Sequence, residues 1–393
     1  MSLVWGKEKG WGLLKAGIHS APPVEYWTIP MTPNLLNIMI TKNTDLSSKK
    51  IAIVYDWVVK WGGAERVLLV LHEMFPEAPL YTAVYDPVYA PWARVFPKVY
   101  APKIRLNHKL FAWLFPIIFE SYNFDDYDLV ISVTSFAAKG IITKPKTRHI
   151  CYCLTPTRFL LSHVEHYKTK LLGPLFSYLK YWDKMASNRP DYLVAISQTI
   201  QKRILNYYQK DSDIVYPPVD TDYFIPVKNP KNDYFLMVGR MESYKNGEKI
   251  VEVFSHLDEK LIIVGSGSQE NKLRTRAFKN IFFVGQVSDE KLREYYQNCK
   301  ALIFWHEEDF GITPVEAMSC GKPVIGLDRG GVSETVINNK TGLLISSESH
   351  ELINAIKSFD SSSFDPKVIR NRALEYSKAK FVAKLSRLCN IVN

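Results

Sequence analysis

Two glutamates, Glu308 and Glu316, stand eight positions apart within the polar segment 305–318, which leaves a predicted buried strand and enters a predicted helix. That helix has a well-specified start, with Thr313 as N-cap and Glu316 three residues later. In α/β proteins, anionic ligands bind where a helix begins at the carboxyl end of a strand. The segment is therefore a candidate binding site. Two plainer interpretations stay open: Glu316 is only a capping glutamate, and residues 307–309 form a solvated acidic loop.

Two further segments carry groups suited to bind a negative charge. Arg240 ends a strand predicted at 234–240, and Lys245 follows in the loop after it. The arginine offers a planar fork of donors, while the lysine is a compact point charge. Gly62 and Gly63 precede a predicted helix, and glycine there lets the backbone approach a ligand closely. The plainer interpretations are surface charge near a turn for the cations and a tight turn for the glycines.

These segments need a scaffold, and the apolar pattern predicts a first α/β unit that begins at Ile51. A short apolar strand, the double glycine and a helix with one apolar face follow in that order. The face consists of Val67, Leu68, Leu71 and Met74. Further strands are predicted at 79–85, 128–133, 149–154 and 191–197. Because helical segments such as 197–208 alternate with them, the unit is predicted to be a doubly wound parallel sheet.

A break at residues 215–220 contains two prolines, after which the pattern restarts. Strands of a second unit are predicted at 234–240, 260–267, 280–287, 301–306 and 322–328. The segment 366–392 is predicted to form one helix with a single buried face. That face would carry Ala373, Tyr376, Phe381 and Leu385. A terminal helix of this length could pack back across the first unit.

The order and spacing of these motifs resemble those of the retaining glycosyltransferases of family four. Glu308-x7-Glu316 is similar to the family's E-x7-E signature, and the likeness runs from Ile51 nearly to the C-terminus. The other matching motifs are Tyr55–Trp57, Gly62–Arg66, Val215–Asp220, Val238–Met241 with Lys245-Asn246, Gly265–Gly267, Val284–Asp289, Ala317–Val324 and Gly330–Glu334. The resemblance implies the GT-B fold, in which two Rossmann-like domains face a central cleft and a C-terminal helix crosses back to the first domain.

Four segments follow from the resemblance and the breaks. Residues 50–222 are expected to form an N-terminal Rossmann-like acceptor domain, residues 223–368 a C-terminal Rossmann-like domain for the nucleotide-sugar donor, and residues 369–393 the crossover helix. Residues 1–49 lack clean periodicity and the apolar region of a signal peptide. We expect them to be an extension or the result of a start codon assigned too early.

The resemblance also implies roles for individual residues. Arg240 and Lys245 would clamp the donor diphosphate, which gains negative charge as its bond to the sugar breaks, so that no metal ion or cofactor is required. Glu316 would bind the ribose hydroxyls and Glu308 the hydroxyls of the donor sugar. The implied catalytic residues are Glu308, Arg240 and Lys245. The implied donor-binding set, which includes backbone contacts to phosphate and sugar and a turn facing the base, is Gly62, Gly63, Arg240, Lys245, Val287, Glu308, Phe310, Gly311, Ile312 and Glu316.

One position departs from the family pattern. Many relatives have a histidine just before Thr-Pro in the first domain, where it touches the donor sugar or the leaving phosphate, and this chain has Leu154 before Thr155-Pro156. His163 and His166 lie downstream, but the sequence does not indicate that either replaces it. Activity need not be lost, because the departing phosphate can accept the acceptor's proton in a front-face retaining mechanism.

The form of the Glu308–Glu316 segment most resembles mannosyltransferases that act on lipid-linked or surface polysaccharide. We therefore expect a retaining, metal-independent hexosyltransferase that takes mannose from GDP-mannose to a glycan or a polyprenyl-diphosphate-linked acceptor. The alternatives are a non-catalytic nucleotide-sugar-binding protein, and an epimerase or glycogen-synthase-like elongase on the same fold. A dehydrogenase is disfavoured, since no G-x-G-x-x-G follows the strand at Ile51.

Composition restricts partners and location. The formal charge is +10, but no nucleic-acid motif accompanies it, so we expect no nucleic acid partner. The five cysteines form no C-x-x-C pair, and Cys151 and Cys153, which lie two apart in an apolar run, are interpreted as small buried residues of a reducing compartment. We therefore expect a cytoplasmic location. No apolar run reaches the ~18 residues of a membrane-spanning helix. The longest one, at 110–119, follows several basic residues and is interpreted equally as a buried helix or as a peripheral contact with the inner face of the cell membrane.

Overall fold

A computed structural model describes residues 46, 48–103, 111–161 and 173–391 of the 393-residue chain. Residues 1–45, the predicted helix end at Val392, and both His163 and His166 lie outside the described residues.

The first half of the described chain forms a parallel sheet of seven strands in the order β3-β2-β1-β4-β5-β6-β7. The strands are β1 (Ile51–Tyr55), β2 (Leu80–Thr82), β3 (Val99–Tyr100), β4 (Leu129–Thr134), β5 (Arg148–Cys153), β6 (Tyr192–Ala195) and β7 (Asp213–Ile214). The helices of this half are α1 (Gly63–Met74), α2 (Phe115–Glu120), α3 (Arg158–Leu161), α4 (Gly173–Ala186) and α5 (Gln198–Tyr208). Short 3-10 turns occur at Pro91–Val95, Ala112–Leu114 and Ala138–Gly140.

The second half forms a parallel sheet of six strands in the order β10-β9-β8-β11-β12-β13. The strands are β8 (Phe235–Val238), β9 (Leu261–Val264), β10 (Ile281–Gly285), β11 (Ala301–Phe304), β12 (Val324–Leu327) and β13 (Gly342–Ile345). Its helices are α6 (Gly247–Ser255), α7 (Glu270–Arg276), α8 (Asp289–Asn298), α9 (Ile312–Ser319), α10 (Val332–Thr335), α11 (Ser349–Lys357), α12 (Pro366–Leu374) and α13 (Lys378–Ile391). Short 3-10 turns occur at Ser243–Lys245 and Ser361–Ser363.

Both sheets are covered by helices on their two faces, which explains why central strands such as β1 and β8 are apolar at every position. In β1, Ile51, Ile53 and Tyr55 pack into one cluster of buried residues while Ala52 and Val54 pack into another. A strand buried on both faces needs apolar side chains without alternation, and this is the pattern from which the strands were predicted. The predicted apolar face of α1 is fully buried.

The predicted C-terminal helix over 366–392 is two helices rather than one. The helix is interrupted at residues 375–377, where the backbone pairs with the interdomain linker. The N–H of Val219 donates to the carbonyl of Tyr376, and the N–H of Lys378 donates to the carbonyl of Val219, each at 3.1 Å. The interdomain linker therefore takes hydrogen bonds that a continuous helix would have kept. Helix α12 packs on α9 of the second domain, and α13 reaches α1 of the first. The predicted crossover to the first domain is confirmed.

The two sheets present their topological switch points to each other. In the first sheet β1 lies between β2 and β4, and in the second sheet β8 lies between β9 and β11. Ligands of open α/β sheets bind outside the carboxyl ends of the strands at such points, because the connecting helices leave in opposite directions there. Four loops converge at this place, those after β1, β4, β8 and β11.

Candidate active site

The four converging loops enclose a cleft of about 590 Å³ between the two sheets. Of the ten predicted donor-binding residues, nine line this cleft. They are Gly62, Gly63, Arg240, Lys245, Glu308, Phe310, Gly311, Ile312 and Glu316. Six side chains that were not among the predicted donor-binding residues complete the wall, namely Trp57, Lys60, Trp61, Arg66, Arg158 and Tyr244.

Glu316 lies on α9 and is 1% exposed. Its Oε2 accepts a hydrogen bond from the hydroxyl of Tyr296 at 2.7 Å, and its Oε1 forms an ion pair with Arg66, which belongs to the first domain. Both partners hold the carboxylate at the wall of the cleft. A buried carboxylate with two fixed donors is a pre-oriented acceptor for further hydroxyl groups.

The predicted capping box at the start of this helix is wrong. Helix α9 begins at Ile312, and its N-cap is Gly311, whose φ of +88° lies in the left-handed region that favours glycine. The cap makes no side-chain hydrogen bond, and Thr313 lies within the helix. Because Glu316 binds Tyr296 and Arg66 instead, its interpretation as a simple capping glutamate is excluded.

Glu308 forms an ion pair with Lys245, and the Nε2 atom of His306 lies 3.4 Å from the same carboxylate oxygen. Burial lowers the pKa of Lys245 to about 8, with Arg240 and Arg158 as further causes. Burial, reinforced by Lys245, also lowers the pKa of His306 well below its ordinary value, so its imidazole is neutral. In this arrangement Glu308 and Lys245 neutralise each other until a ligand competes for them.

Arg240 extends from the end of β8 into the cleft and hydrogen-bonds the Tyr244 hydroxyl at 3.2 Å. Its backbone position depends on two glycines, because a Cβ atom on Gly265 would lie 2.1 Å from the carbonyl oxygen of Gly239. Arg240 and Lys245 are thus two cations on one loop at the carboxyl end of a strand. Such a pair is suited to bind two phosphate groups.

The double glycine lies at the start of α1, directly opposite α9. A Cβ atom on Gly63 would lie 2.8 Å from Cδ1 of Ile312, so the absence of a side chain allows the two domains to touch here. Gly62 is the N-cap of α1 and makes no side-chain capping bond. The first backbone N–H groups of α1 therefore face a cleft that already holds two cations, which favours an anion at this point.

A second pair of glycines supports the loop that carries Glu308. The backbone N–H of Gly331 donates to the carbonyl of Glu308 at 2.8 Å, and a Cβ atom at this position would lie 2.2 Å from Cα of Phe310. Phe310 is 3% exposed and packs against Tyr216 and Tyr376 at 5.7 and 5.6 Å between ring centroids. The loop is therefore fixed from below by close backbone contact.

Acidic residues of the second domain bind basic residues of the first, so the alternative interpretation of residues 307–309 as a simple solvated acidic loop is not supported. Asp309 pairs with Arg158 and, at 2.6 Å, with Arg203, and Glu307 pairs with Arg203 at 2.8 Å. Glu334 accepts hydrogen bonds at 2.7 and 2.8 Å from the first two N–H groups of α5. These contacts hold the domains in a closed arrangement.

Asp56 fixes the opposite wall of the cleft. Its carboxylate is buried and accepts hydrogen bonds from the backbone N–H groups of residues 135–138 at 2.6 to 3.0 Å, besides the hydroxyl of Thr134. The loop after β4, which carries Ser135 into the cleft, is thereby tied to the end of β1. The Tyr55–Trp57 motif is thus structural at its centre.

Two positions from the sequence need separate mention. Val287 lies in the loop between β10 and α8, is partly buried against the core, and is not among the described residues that line the cleft, so its contact with a base stays a prediction. Leu154 does line the cleft, where the family's histidine would stand. Among the described residues, no histidine lines the cleft in its place.

Sequence reasoning missed Arg66, Tyr296 and Arg203 as site residues. Arg66 ends the Gly62–Arg66 motif, and that motif was a usable signal. Arg203 lies more than 100 residues from its acidic partners, so local pattern offered no signal for it.

The arrangement can bind an anion and a polyhydroxylated group side by side. Two cations and a helix N-terminus lie at one end, and two carboxylates, Glu308 and Glu316, lie along the wall. Within the described ranges, no group of three or more His, Cys, Asp or Glu side chains is placed to hold a metal ion.

Two family models match consecutive parts of the chain. The model described as Glycosyltransferase Family 4 matches residues 61–223, and the model described as Glycosyl transferases group 1 matches residues 219–376. Their junction lies between the last strand of the first sheet and the first strand of the second. Glu308, Glu316, Arg240 and Lys245 all lie within the second match.

Individual proteins agree with these models. The chain is 24% identical over 297 residues to the alpha-1,3/1,6-mannosyltransferase ALG2 of Dictyostelium discoideum, covering 63% of this chain and 69% of that protein. It is 28% identical over 173 residues to the O-antigen chain mannosyltransferase RfbU of Salmonella typhimurium, covering 41% and 49%. Against such relatives the chain spans about half to two thirds of their length.

A solved structure shares the architecture. The crystal structure of Anabaena Alr3699/HepE in complex with UDP and glucose superposes with a TM-score of 0.68 at 18% identity, over 87% of this chain and 99% of that one. The predicted fold, two Rossmann-like domains facing a central cleft, is confirmed.

Proposed function

Because the chain belongs to the group 1 and family 4 glycosyltransferases, we propose that it is a retaining enzyme that transfers a hexose from a nucleotide sugar to a glycan or lipid-linked acceptor. One observation carries the proposal: Arg240, Lys245, Glu308 and Glu316 lie in a single cleft. Cations for a diphosphate and carboxylates for hydroxyl groups are the two halves of a nucleotide-sugar site.

The cations would supply the main electrostatic stabilisation. Negative charge builds on the β-phosphate as the anomeric bond breaks, and Arg240, Lys245 and the N-terminus of α1 surround the place where it would build. Lys245 would leave its pair with Glu308 for the phosphate. Glu308 would then be available to the donor sugar, so donor binding would rearrange the ion pair between Lys245 and Glu308. This set of fixed charges supports metal-independent transfer.

A front-face retaining step balances without a histidine at position 154. The bond between the anomeric carbon and the phosphate oxygen breaks, and the bond from that carbon to the acceptor oxygen forms on the same face. The acceptor's proton passes to the departing phosphate oxygen, which becomes the base. This route supports activity despite Leu154.

Mannose is the hexose that the relatives favour. ALG2 and RfbU carry mannosyltransferase in their names. We therefore propose GDP-mannose as the first donor to test and surface-polysaccharide assembly as the setting. The architecturally similar Anabaena protein was crystallised with UDP and glucose, so UDP-sugars form the second set.

A lipid-linked acceptor agrees with the exposed apolar side chains of the first domain. Trp113 and Ile117, at the segment leading into and through α2, are 42% and 59% exposed, while Phe115 and Phe119 are buried beneath them. Tyr181 of the neighbouring α4 is 68% exposed. The run therefore has a buried face, which agrees with the interpretation as a buried helix, and an exposed apolar face, which supports the interpretation as a membrane contact. No helix in the described part of the chain is long and apolar enough to cross a membrane.

We propose peripheral contact with the inner face of the cell membrane through this surface and a cytoplasmic location. A polyprenyl-diphosphate-linked saccharide would then present its sugar to the cleft. No nucleic acid partner is proposed. The non-catalytic alternative has Leu154 as its support, and the presence of all four charged residues in one cleft argues against it. An epimerase would need further acid and base groups, and no additional histidine lines the described cleft.

A donor screen tests the proposal. The purified chain is incubated with GDP-, UDP- and ADP-sugars, first with water and then with lipid-linked acceptors, and release of nucleoside diphosphate is followed by chromatography. We expect turnover with one base class, led by GDP-mannose. Product NMR should show the donor's anomeric configuration. Binding of a donor without release from any of them would favour the non-catalytic alternative, and an inverted product would exclude retention.

A further inference from the structure

An arginine of the first domain binds the carboxylate to which the ribose is assigned. Arg66 lies in the first turns of α1, and its guanidinium reaches across the cleft to Oε1 of Glu316, 250 residues further along the chain. The arginine side chain is 23% exposed and the glutamate side chain 1%, and both line the cleft. The contact therefore lies at the site itself and is open to a ligand on one side.

The positive charge of Arg66 is surrounded by acidic groups. Burial lowers the pKa of Arg66, but the adjacent Glu316 outweighs this effect and the pKa is raised overall. The other groups that face the pair are the Tyr296 hydroxyl and the carboxylate of Asp289 at the start of α8. With one positive charge between two carboxylates, Arg66 is the cation that pairs with the buried carboxylate of Glu316.

The carboxylate of Glu316 still has acceptor sites for a ligand after it has bound Arg66 and Tyr296. An ionised carboxylate offers about four lone-pair sites. Arg66 and Tyr296 each occupy one, on different oxygens, which leaves about one on each oxygen for a ligand. The 2′ and 3′ hydroxyls of a ribose are two adjacent donors that suit such a carboxylate.

We propose that Arg66 is a positioning residue of the ribose subsite, supplied by the domain opposite the one that carries Glu316. It would hold the glutamate carboxylate in a fixed orientation, so that ribose is recognised at full strength only when both domains are closed. The inference rests on the proposed role of Glu316 in binding the ribose of the donor.

Arg203 provides a matched control for domain closure. It too belongs to the first domain and pairs with carboxylates of the second, Asp309 and Glu307, and its side chain is 26% exposed. It makes no contact with Glu316. Loss of Arg203 should weaken closure of the domains about as much as loss of Arg66 does. It should leave Glu316, the hydrogen-bond acceptor for the ribose hydroxyls, unchanged.

The test compares nucleotides that differ only in the two hydroxyls. Binding of GDP and 2′,3′-dideoxy-GDP to the full chain is measured by calorimetry, with UDP and 2′,3′-dideoxy-UDP as the second pair. The unmodified chain should prefer the ribose form. Arg66→Met should weaken binding of the ribose form roughly 10- to 100-fold more than it weakens binding of the dideoxy form, which is the usual scale for hydrogen bonds to charged groups.

The controls separate the inference from its premise. Arg203→Met should lower both affinities by one common factor, and Arg66→Lys, which keeps the charge without the fork, should retain part of the ribose preference. Melting curves identify any variant that is unfolded. If Arg66→Met is unfolded, Arg66→Lys still provides the test. Glu316→Ala should abolish the preference.

Four results would overturn the inference. Equal weakening of both nucleotides by Arg66→Met would show that the arginine acts through domain closure, and no effect on either would remove it from the subsite. In both cases loss of the preference in Glu316→Ala would leave the proposed function standing. If Glu316→Ala keeps the preference, or the unmodified chain has none, the ribose role of Glu316 itself fails.

Discussion

Lys245 should make donor binding weaken at a lower pH than a lysine with an unshifted pKa would. Burial, followed by Arg240 and Arg158, lowers the pKa of this ammonium group from 10.5 to about 8. The charged form is present below that pH and is lost above it. Because a diphosphate needs the charged form, the free enzyme should lose donor affinity as the pH rises through about 8.

The size of the effect follows from the titration. With a pKa of about 8, roughly nine-tenths of the lysines are charged at pH 7 and roughly one-tenth at pH 9. The ratio kcat/KM for the donor reports groups of the free enzyme. It should therefore fall about tenfold for each pH unit above 8.

The assay measures release of nucleoside diphosphate by chromatography from pH 6 to 10, which avoids coupling enzymes with their own pH profiles. Lys245→Arg should keep its charge over the whole range, so its lower activity should lose the alkaline fall. Lys249→Arg, at an exposed position of the next helix, serves as the matched control and should keep the fall. An unchanged fall in Lys245→Arg would refute the assignment of this limit to Lys245.

Three further perturbations address the supporting structure. Gly331→Ala should destabilise the fold by about 3 kcal/mol and weaken nucleotide binding, because its Cβ atom would overlap the backbone of Phe310; thermal melting and calorimetry measure both. Asp183→Asn should cost about 3 to 5 kcal/mol in a denaturant titration, since it leaves the ammonium group of Lys139 buried without its carboxylate at 2.6 Å. Trp113→Ala should reduce binding to anionic lipid vesicles roughly tenfold in sedimentation, with transfer to a soluble acceptor unchanged.

Matched substitutions distinguish these effects from general damage. Gly173→Ala meets no atom within 4 Å and should be neutral, and Asp125→Asn breaks an exposed pair worth less than about 1 kcal/mol. Val368→Ser removes a 44%-exposed side chain from the second domain and should leave vesicle binding unchanged. Equal effects in a variant and its control would contradict the corresponding contact.

The sequence contained enough to predict the two sheets, because a parallel strand buried on both faces is apolar at successive positions. Strands such as β1 and β9 carry this pattern without interruption. The edge strands β3 and β7 were not predicted, since two residues each are too short to form a pattern. Cys151 and Cys153 are buried free thiols, as their place in an apolar run predicted.

The details that failed depend on contacts distant in sequence. Thr313 has the right residue type for an N-cap, but the left-handed conformation of Gly311 starts the helix earlier. The break at 375–377 exists because Val219, about 155 residues away, pairs with the backbone there. Neither partner can be identified from a local pattern.

The site shows the same division. Glu308, Glu316, Arg240 and Lys245 were predicted because strand ends, glycines and spacing mark them locally. The residues that hold them were not, since Arg66 and Tyr296 act on Glu316 across the cleft and from a neighbouring helix. Predicting such partners would require knowledge of how the two domains close.

The central claim is that the cleft between the two domains is the donor site of a glycosyltransferase and that Glu316 is essential to it. The most direct measurement is the initial rate of nucleoside diphosphate release from the preferred nucleotide sugar, with saturating acceptor, by the unmodified chain and by Glu316→Ala. We expect steady turnover by the first and a rate at least about 100-fold lower for the second, with a normal melting curve. Equal rates, with equal donor affinity, would contradict the assignment of this cleft.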